Sequence, residues 1–370
     1  MDKELSFILK RFSQYYSSAN FYISEIEKRE FGVGIEKKID LRHMGFGSES
    51  EFKSFLVNDT PLYVSHSVAY YKLPKAAPME RKGWLGADLV FDLDCETKTK
   101  YLSRIDFEKI REHTMRLIEE FLVPDFGISK EKISVNFSGN RGFHVWTYDE
   151  RFNQLKSNER KEIIEYIKGI GLKYYSFFAQ TDVQGRIHGP LPNGIGYAGK
   201  FAKKILHILE TKPEEISTIF KNEKERQNFI NGIKSANWSL AKRTQNIEKK
   251  LREIAETELP LRAVNIDSNV TQDPSKLIRV ANSIHGGTGL CAKILVLDKL
   301  HEFEPLHHAL VFSSTPLKII ALEDIPEIEI GGTTQEKIEK GKIKEVPEYF
   351  AFYLKLKKSA RLLLTTSLPK

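Results

Sequence analysis

A switch in hydrophobic period is the feature that most constrains the fold of this chain. Residues 84–94, 133–146 and 261–297 carry strand signals, with β-branched and aromatic residues in alternation, each broken by Gly, Asn or Pro at a turn. Residues 152–258 instead repeat apolar positions at helical spacing. Ser157 can cap a helix whose Ile163, Ile164, Ile167 and Ile170 recur on one side, and residues 214–252 are rich in Lys, Glu, Gln and Ala. Glycines at 184–186 and 189–194 mark loops inside this stretch. Residues 1–30 also read as helix, with Leu5, Ile8, Leu9 and Phe12 on one face, followed by turn-rich extended chain over 29–46 and strands and loops over 61–74. Strand blocks on both sides of a helical block predict a mixed α/β (α+β) fold. Residues 1–151 and 259–370 then form the core, and residues 152–258 a mostly helical insertion. The 370 residues exceed what a single core usually organises, about 250–300.

Composition narrows the function less than the fold. Hydrophobic residues make up 41% and charged residues 29%, which is ordinary globular usage and argues against a disordered or fibrous chain. A formal charge of +7 suits a polyanionic partner without requiring one. The two cysteines, Cys95 and Cys291, cannot build a disulfide framework or a cysteine-rich zinc site, so a reducing cytoplasm fits best. The start lacks a basic segment followed by an apolar run, and no stretch approaches about 18 consecutive apolar residues. Neither export nor membrane insertion is expected.

The chemistry begins in Ala87-Asp88-Leu89-Val90-Phe91-Asp92-Leu93-Asp94. Residues two apart on a strand point the same way, so Asp92 and Asp94 share a face. Carboxylates roughly 7 Å apart repel each other unless a cation lies between them, and hard oxygen donors suit Mg²⁺ or Mn²⁺. An isolated pair of this kind also suits a solvated strand end, but here the preceding residues are those of a core. Asp88, on the same parity, is expected to play a supporting structural part. Far along the chain, Val264-Asn265-Ile266-Asp267 resembles a strand whose final Asp can complete a metal cage.

Two basic, glycine-containing loops accompany these carboxylates. In Ser138-Gly139-Asn140-Arg141-Gly142-Phe143-His144 the glycines let backbone amides turn toward an anion, while Ser138, Arg141 and His144 offer a hydroxyl, a charge and an imidazole to phosphate oxygens. A plain hairpin turn also accommodates this segment. In residues 273–290, Asp273 is expected to cap a short helix with Pro274 at its first position, delivering Arg279 near the helix end and His285 into a glycine-rich turn. Divalent cations, arginines and histidines are the inventory of phosphoryl transfer.

These residues resemble the archaeal and eukaryotic DNA primase small (catalytic) subunit. Arg29-Glu30-Phe31 with Arg42-His43-Met44-Gly45-Phe46, Phe91-Asp92-Leu93-Asp94, Ser138 to His144, Asp267 with Leu277-Ile278-Arg279, and Ser283-Ile284-His285 follow the family's order, and residues 346–350 resemble a segment near its end. The resemblance implies a primase-type catalytic core with Asp92, Asp94 and Asp267 as a metal-binding catalytic triad. It places Ser138, Arg141, His144, Arg279, Ser283 and His285 at the incoming nucleotide, with Arg42 a further candidate. It further implies nucleoside triphosphate substrates, a single-stranded DNA template, short RNA primers, deoxynucleotides as substrates often accepted by archaeal members, and a heterodimer with a large regulatory subunit. Two departures stand out. Residues 95–132 hold one cysteine and one histidine, His113, where many members carry a zinc knuckle, so no structural zinc is expected. Asn140 stands where some eukaryotic relatives have a second arginine.

A repair-type primase-polymerase, or a metal-dependent nuclease or phosphodiesterase, would use the same carboxylates. A non-catalytic nucleic-acid-binding subunit stacking bases on Trp84 or Trp146 would leave three strand-borne aspartates unexplained, since they repel a phosphate backbone.

Overall fold

The computed structural model describes residues 3–95, 99–178, 185–211, 220, 222–242, 245–260 and 266–364. Gln184 of the first insertion loop, parts of the 214–252 stretch, and Leu261, Val264 and Asn265 ahead of Asp267 lie outside the described residues. The chain divides into two compact units, Met1–Thr114 with Glu131–Arg160 and Asn265–Lys370, and Met115–Lys130 with Lys161–Val264. Helices and antiparallel sheets together make a mixed α/β fold.

In chain order the strands are β1 Phe31–Gly34, β2 Leu41–Met44, β3 Tyr63–Ser67, β4 Ala69–Tyr71, β5 Trp84–Ala87, β6 Leu89–Asp94, β7 Ile133–Phe137 and β8 Gly142–Thr147. They continue as β9 Leu277–Arg279, β10 Ile294–Leu295, β11 Pro316–Ala321, β12 Ile328–Ile330, β13 Thr333–Gln335, β14 Ile343–Pro347 and β15 Ala360–Leu362. The α-helices are α1 Lys3–Ser18, α2 Glu49–Asp59, α3 Arg104–Arg116, α4 Ser157–Ile167, α5 Gly196–Thr211, α6 Glu223–Lys234, α7 Gln245–Glu253, α8 Ser268–Gln272, α9 Pro305–His308 and α10 Glu348–Leu356.

Two sheets of the first unit carry the chemistry, one ordered β2-β1-β3-β9 and the other β10-β7-β8-β6. The second is built on the β7–β8 hairpin, whose turn is Ser138 to Arg141, with β6 added in register as Leu89↔Thr147 through Asp94↔Gly142. Its apolar side chains have partners in both sheets: Val90 and Trp146 cluster with Val68, Ala69, Ile278 and Val270, and His66 of β3 stacks on Trp146 at 5.0 Å between ring centroids. The strand block at 84–94 is two strands, β5, paired with β4, and β6, and the break falls at Asp88 between them, while Gly86 stays within β5 opposite Tyr70.

The amino-terminal helix is shorter than the sequence pattern suggests. It buries Ile8, Phe12 and Tyr16 at four-residue spacing and ends at Ser18, where Ser17, Ser18 and Asn20 favour backbone-capping conformations over helix. Residues 273–279 also depart from expectation. Asp273 does not begin a helix but ends one: α8 is capped by Asp267, Asp273 folds a turn by accepting from the Ser275 amide at 2.8 Å and hydroxyl at 2.7 Å, and Arg279 sits on strand β9. Asp-Pro-Ser suits either a helix start or a turn, and pairing of Leu277–Arg279 with β3 decides for the turn.

In the second unit, Phe201 of α5 stacks on Trp238 at 5.3 Å and on Phe177 at 5.0 Å, and Phe229 of α6 meets Trp238 edge-on at 5.7 Å. Ile163, Ile164 and Ile167 of α4 are buried, but the helix ends at Ile167 and leaves Ile170 exposed. Among the described residues, no helix is long and apolar enough to cross a membrane.

Candidate active site

Strand period two puts Asp92 and Asp94 on the same face of β6, and the register across the sheet extends that face. Asp92 is directly opposite His144 on β8, and His144 is directly opposite Asn136 on β7. Directly opposed residues on neighbouring strands project to the same side, so Asp92, His144 and Asn136 form a row. Asp94 is opposite Gly142, where a Cβ would come within 2.4 Å of the Asp94 Oδ1, so only glycine leaves that carboxylate its place.

Asp267 arrives from a distant part of the chain through a single antiparallel bridge, Leu93↔Ile266, and its amide donates to the Asp92 carbonyl at 2.9 Å. Its side chain then caps α8, with Oδ1 accepting from the Asn269 amide at 2.9 Å. Asp92 is the innermost carboxylate, Asp94 is half-buried and Asp267 is exposed, so the acidic group opens toward solvent.

Burial and then the charge of Asp267 push the Asp92 carboxyl up to about 6. Asp94 is raised as well, by burial and then by Asp92. Asp92 Oδ1 is buried without a hydrogen-bond partner, its nearest cation-capable neighbour being His144 Nε2 at 3.7 Å. A buried, acceptor-only oxygen beside mutually repelling carboxylates fits a divalent cation, whose charge would relieve both costs. Among the described residues, no three His, Cys, Asp or Glu side chains already stand in metal-holding geometry, so these carboxylates form an open cluster rather than a closed cage.

The basic groups surround this cluster. Arg141 Nε lies 4.0 Å from Asp94 Oδ2. Arg279 rests over the Tyr63 ring at 5.6 Å, and its Nη1 is buried without a hydrogen-bond partner. Burial lowers Arg279 to about 10, which still leaves it charged at neutral pH. Burial, followed by the Arg279 charge, lowers His144 to about 4 and holds His285 well below its usual value, so both imidazoles are neutral.

The two loops meet. Thr288 Oγ1 donates to the Gly139 carbonyl at 2.5 Å, and a Cβ on Gly139 would stand 2.7 Å from the His285 Cβ. Gly139 has a φ of 81°, the left-handed region that glycine enters without strain. Ser138 Oγ accepts from the Gly142 amide at 3.2 Å, which closes the turn. Asp92, Asp94, Asp267, Ser138, Arg141, His144, Arg279 and His285 are thus brought into one region of the first unit.

Three other sequence candidates serve different neighbours. Arg42 on β2 donates through Nε to the buried Glu30 at 3.1 Å, and Ser283 is fully buried with its hydroxyl donating to the Val280 carbonyl at 2.7 Å. Asp88 pairs with Arg29 at 2.5 Å at the root of β6, both side chains 1% exposed. Some residues near the site carried no sequence signal. Lys38 lowers Asp92 and Asp94, and Lys357, itself lowered to about 8 by burial and then Arg141, donates to Asn140 Oδ1 at 3.3 Å. Lone lysines in a turn and after a terminal helix look like any solvated charge.

The DNA primase small subunit family model matches residues 91–297, a span that begins at β6 and includes both loops and Asp267. The chain is 32% identical to the DNA primase small subunit of Methanothrix thermoacetophila over 95% of this chain and 97% of that one. It is 31% identical to the corresponding protein of Methanococcoides burtonii, covering 96% and 97%, and 32% identical to that of Archaeoglobus fulgidus, covering 94% and 96%. With its acidic row and converging basic loops inside the matched span, and full-length likeness outside it, the chain belongs to the archaeal-type DNA primase small subunit family.

Proposed function

We propose that this chain is the catalytic subunit of a DNA primase that joins nucleoside triphosphates into a short RNA primer on single-stranded DNA during replication. The observation that carries the reading is the backbone bond from Asp267 to Asp92, which delivers a third carboxylate to a strand face already bordered by Arg141, His144 and Arg279. Family membership supports the primase activity. Nucleotidyl transfer as the chemical step rests on the residues.

Asp92, Asp94 and Asp267 would hold Mg²⁺ or Mn²⁺. When bound, such ions neutralise the triphosphate and make the primer 3′-hydroxyl a better nucleophile. Arg279 and Arg141 are permanent cations placed to draw phosphate oxygens, and the unpartnered Nη1 of Arg279 is a donor without an acceptor until an anion arrives. The neutral His144 and His285 add hydrogen-bond donors without adding charge. The template is single-stranded DNA, and a large regulatory subunit completes a heterodimer.

Unprimed synthesis on single-stranded DNA, with ribonucleotides and deoxynucleotides compared in Mg²⁺ and in Mn²⁺, and with and without the large subunit, tests this reading. Asp92→Ala, Asp94→Ala and Asp267→Ala abolish product, and Arg279→Ala raises the nucleotide KM. Synthesis retained in the folded aspartate variants defeats the proposal, as does shortening of a labelled DNA strand with metal alone.

A further inference from the structure

Asn136, the third member of the row begun by Asp92 and His144, is 1% exposed and directly opposite His144. Its amide makes two close contacts, Nδ2 to the Phe137 carbonyl at 3.0 Å and Nδ2 to His144 Nδ1 at 3.2 Å. A carbonyl oxygen only accepts, so the Asn136 atom facing it must be the NH₂ group; turning the amide over would set two acceptors against each other. That NH₂ group is therefore also what meets His144, and Nδ1 of the ring must accept. A neutral imidazole with Nδ1 accepting carries its proton on Nε2, the atom 3.7 Å from Asp92 Oδ1.

We infer that Asn136 is a positioning residue that fixes His144 as the Nε2–H tautomer, so that the ring presents a donor rather than a lone pair to the acidic face. A donor there can serve a phosphate oxygen or the orphaned Asp92 oxygen; a lone pair would repel both and would compete for a metal ion. His285 is set the same way by different means. The Gly287 amide donates to its Nδ1 at 3.0 Å, which leaves Nε2–H as the free end. Both site histidines are thereby held as neutral donors, one by a side chain and one by the main chain. Only the side-chain lock can be altered by substitution.

The tautomer claim rests on geometry alone, whereas its effect on rate rests on the proposed primase reading, and the test keeps the two apart. Long-range ¹⁵N–¹H spectra of the full chain labelled at histidine, with the His144 signals assigned by their loss in His144→Gln, report which nitrogen is protonated. The expected spectrum has a protonated Nε2 and an unprotonated Nδ1. In Asn136→Asp a carboxylate accepts from Nδ1–H, so the Nδ1 proton appears; in Asn136→Ala the ring is unconstrained and signals of both forms average. Asn136→Asp is expected to lower kcat for primer synthesis about 10–100-fold with a smaller change in nucleotide KM, and to do more harm than Asn136→Ala. A purely packing role predicts the reverse order, because alanine removes more atoms. An Nδ1-protonated His144 in the unaltered chain overturns the inference, as does an unchanged tautomer and kcat in a folded Asn136→Asp. Absence of synthesis by the unaltered chain with its large subunit would instead sink the primase reading and leave the spectra standing.

Discussion

Asp267 donates its backbone N–H to the carbonyl of Asp92 at 2.9 Å, so main chain brings the third carboxylate to β6, while its Oδ1 accepts from the Asn269 amide at 2.9 Å. Substitutions that keep the shape of these residues therefore remove charge without dismantling the site. Asp92→Asn, Asp94→Asn and Asp267→Asn are each expected to reduce primer synthesis on the order of 100-fold or more. All three should fold as the unaltered chain does, read by circular dichroism and thermal melting. A variant retaining more than about a tenth of the rate would remove that residue from the reacting group.

The raised carboxyl of Asp92 gives a pH dependence of defined sign. Its folded value, about 6, lies above the ordinary carboxyl value of 3.8. The folded state thus binds a proton more readily than the unfolded one, and this stability is present below about 4 and lost as pH rises through 6. In chelating buffer the loss from Asp92 is on the order of 1–3 kcal/mol. Asp92→Asn should flatten that part of the profile, and Mn²⁺ should raise the melting temperature more at pH 7.5 than at pH 5. Identical urea midpoints for the two proteins across this pH range would show that Asp92 is not under strain.

How much of this was legible in the sequence follows from how local each feature is. The β6 carboxylates and the Ser138–His144 turn are written in periods of two and in glycine placement, and they can be read without knowing the rest of the chain. Asp267 lies beside Asp92 because of one bridge, Leu93↔Ile266, which no local pattern encodes. The turn at Asp273 was masked by chemistry that suits a helix start equally well, and only pairing of β9 with β3 resolves it. Arg42 carries the same charge as Arg279 in a sequence, but one has the buried Glu30 beneath it and the other has an unpartnered donor beside the acidic row. Asn136 was silent because its importance lies in which hydrogen it presents to a neighbour across the sheet.

The root of β6 depends on a buried ion pair. Arg29 donates to Asp88 and to the Ser67 and Val68 carbonyls, lies 3.7 Å from the Tyr70 ring centre, and Tyr70 donates to Asp88 at 2.9 Å. Removing one partner strands the other in the interior. Arg29→Met is expected to cost about 3–5 kcal/mol, and the double change Arg29→Met with Asp88→Leu to recover part of it. Denaturant unfolding at fixed pH measures both. A cost below about 1 kcal/mol for the single change would mean that water reaches Asp88.

The contact between the two loops is tested at Gly139. Alanine there must adopt a φ of 81°, which costs roughly 1–2 kcal/mol, and its Cβ would meet the His285 Cβ at 2.7 Å. The loops must part by several tenths of an ångström or the turn must change. Either result moves His285 relative to Arg141 while the carboxylates on β6 stay in place. Gly139→Ala should therefore raise the nucleotide KM and lower kcat/KM about tenfold or more, with a modest fall in melting temperature. Thr288→Val, which deletes the hydrogen bond to the Gly139 carbonyl without strain in φ, should shift the same parameters in the same direction. If both variants bind nucleotide as tightly as the unaltered chain, the loops do not act on a common phosphate group, and the basic half of the site reduces to Arg279 and His144.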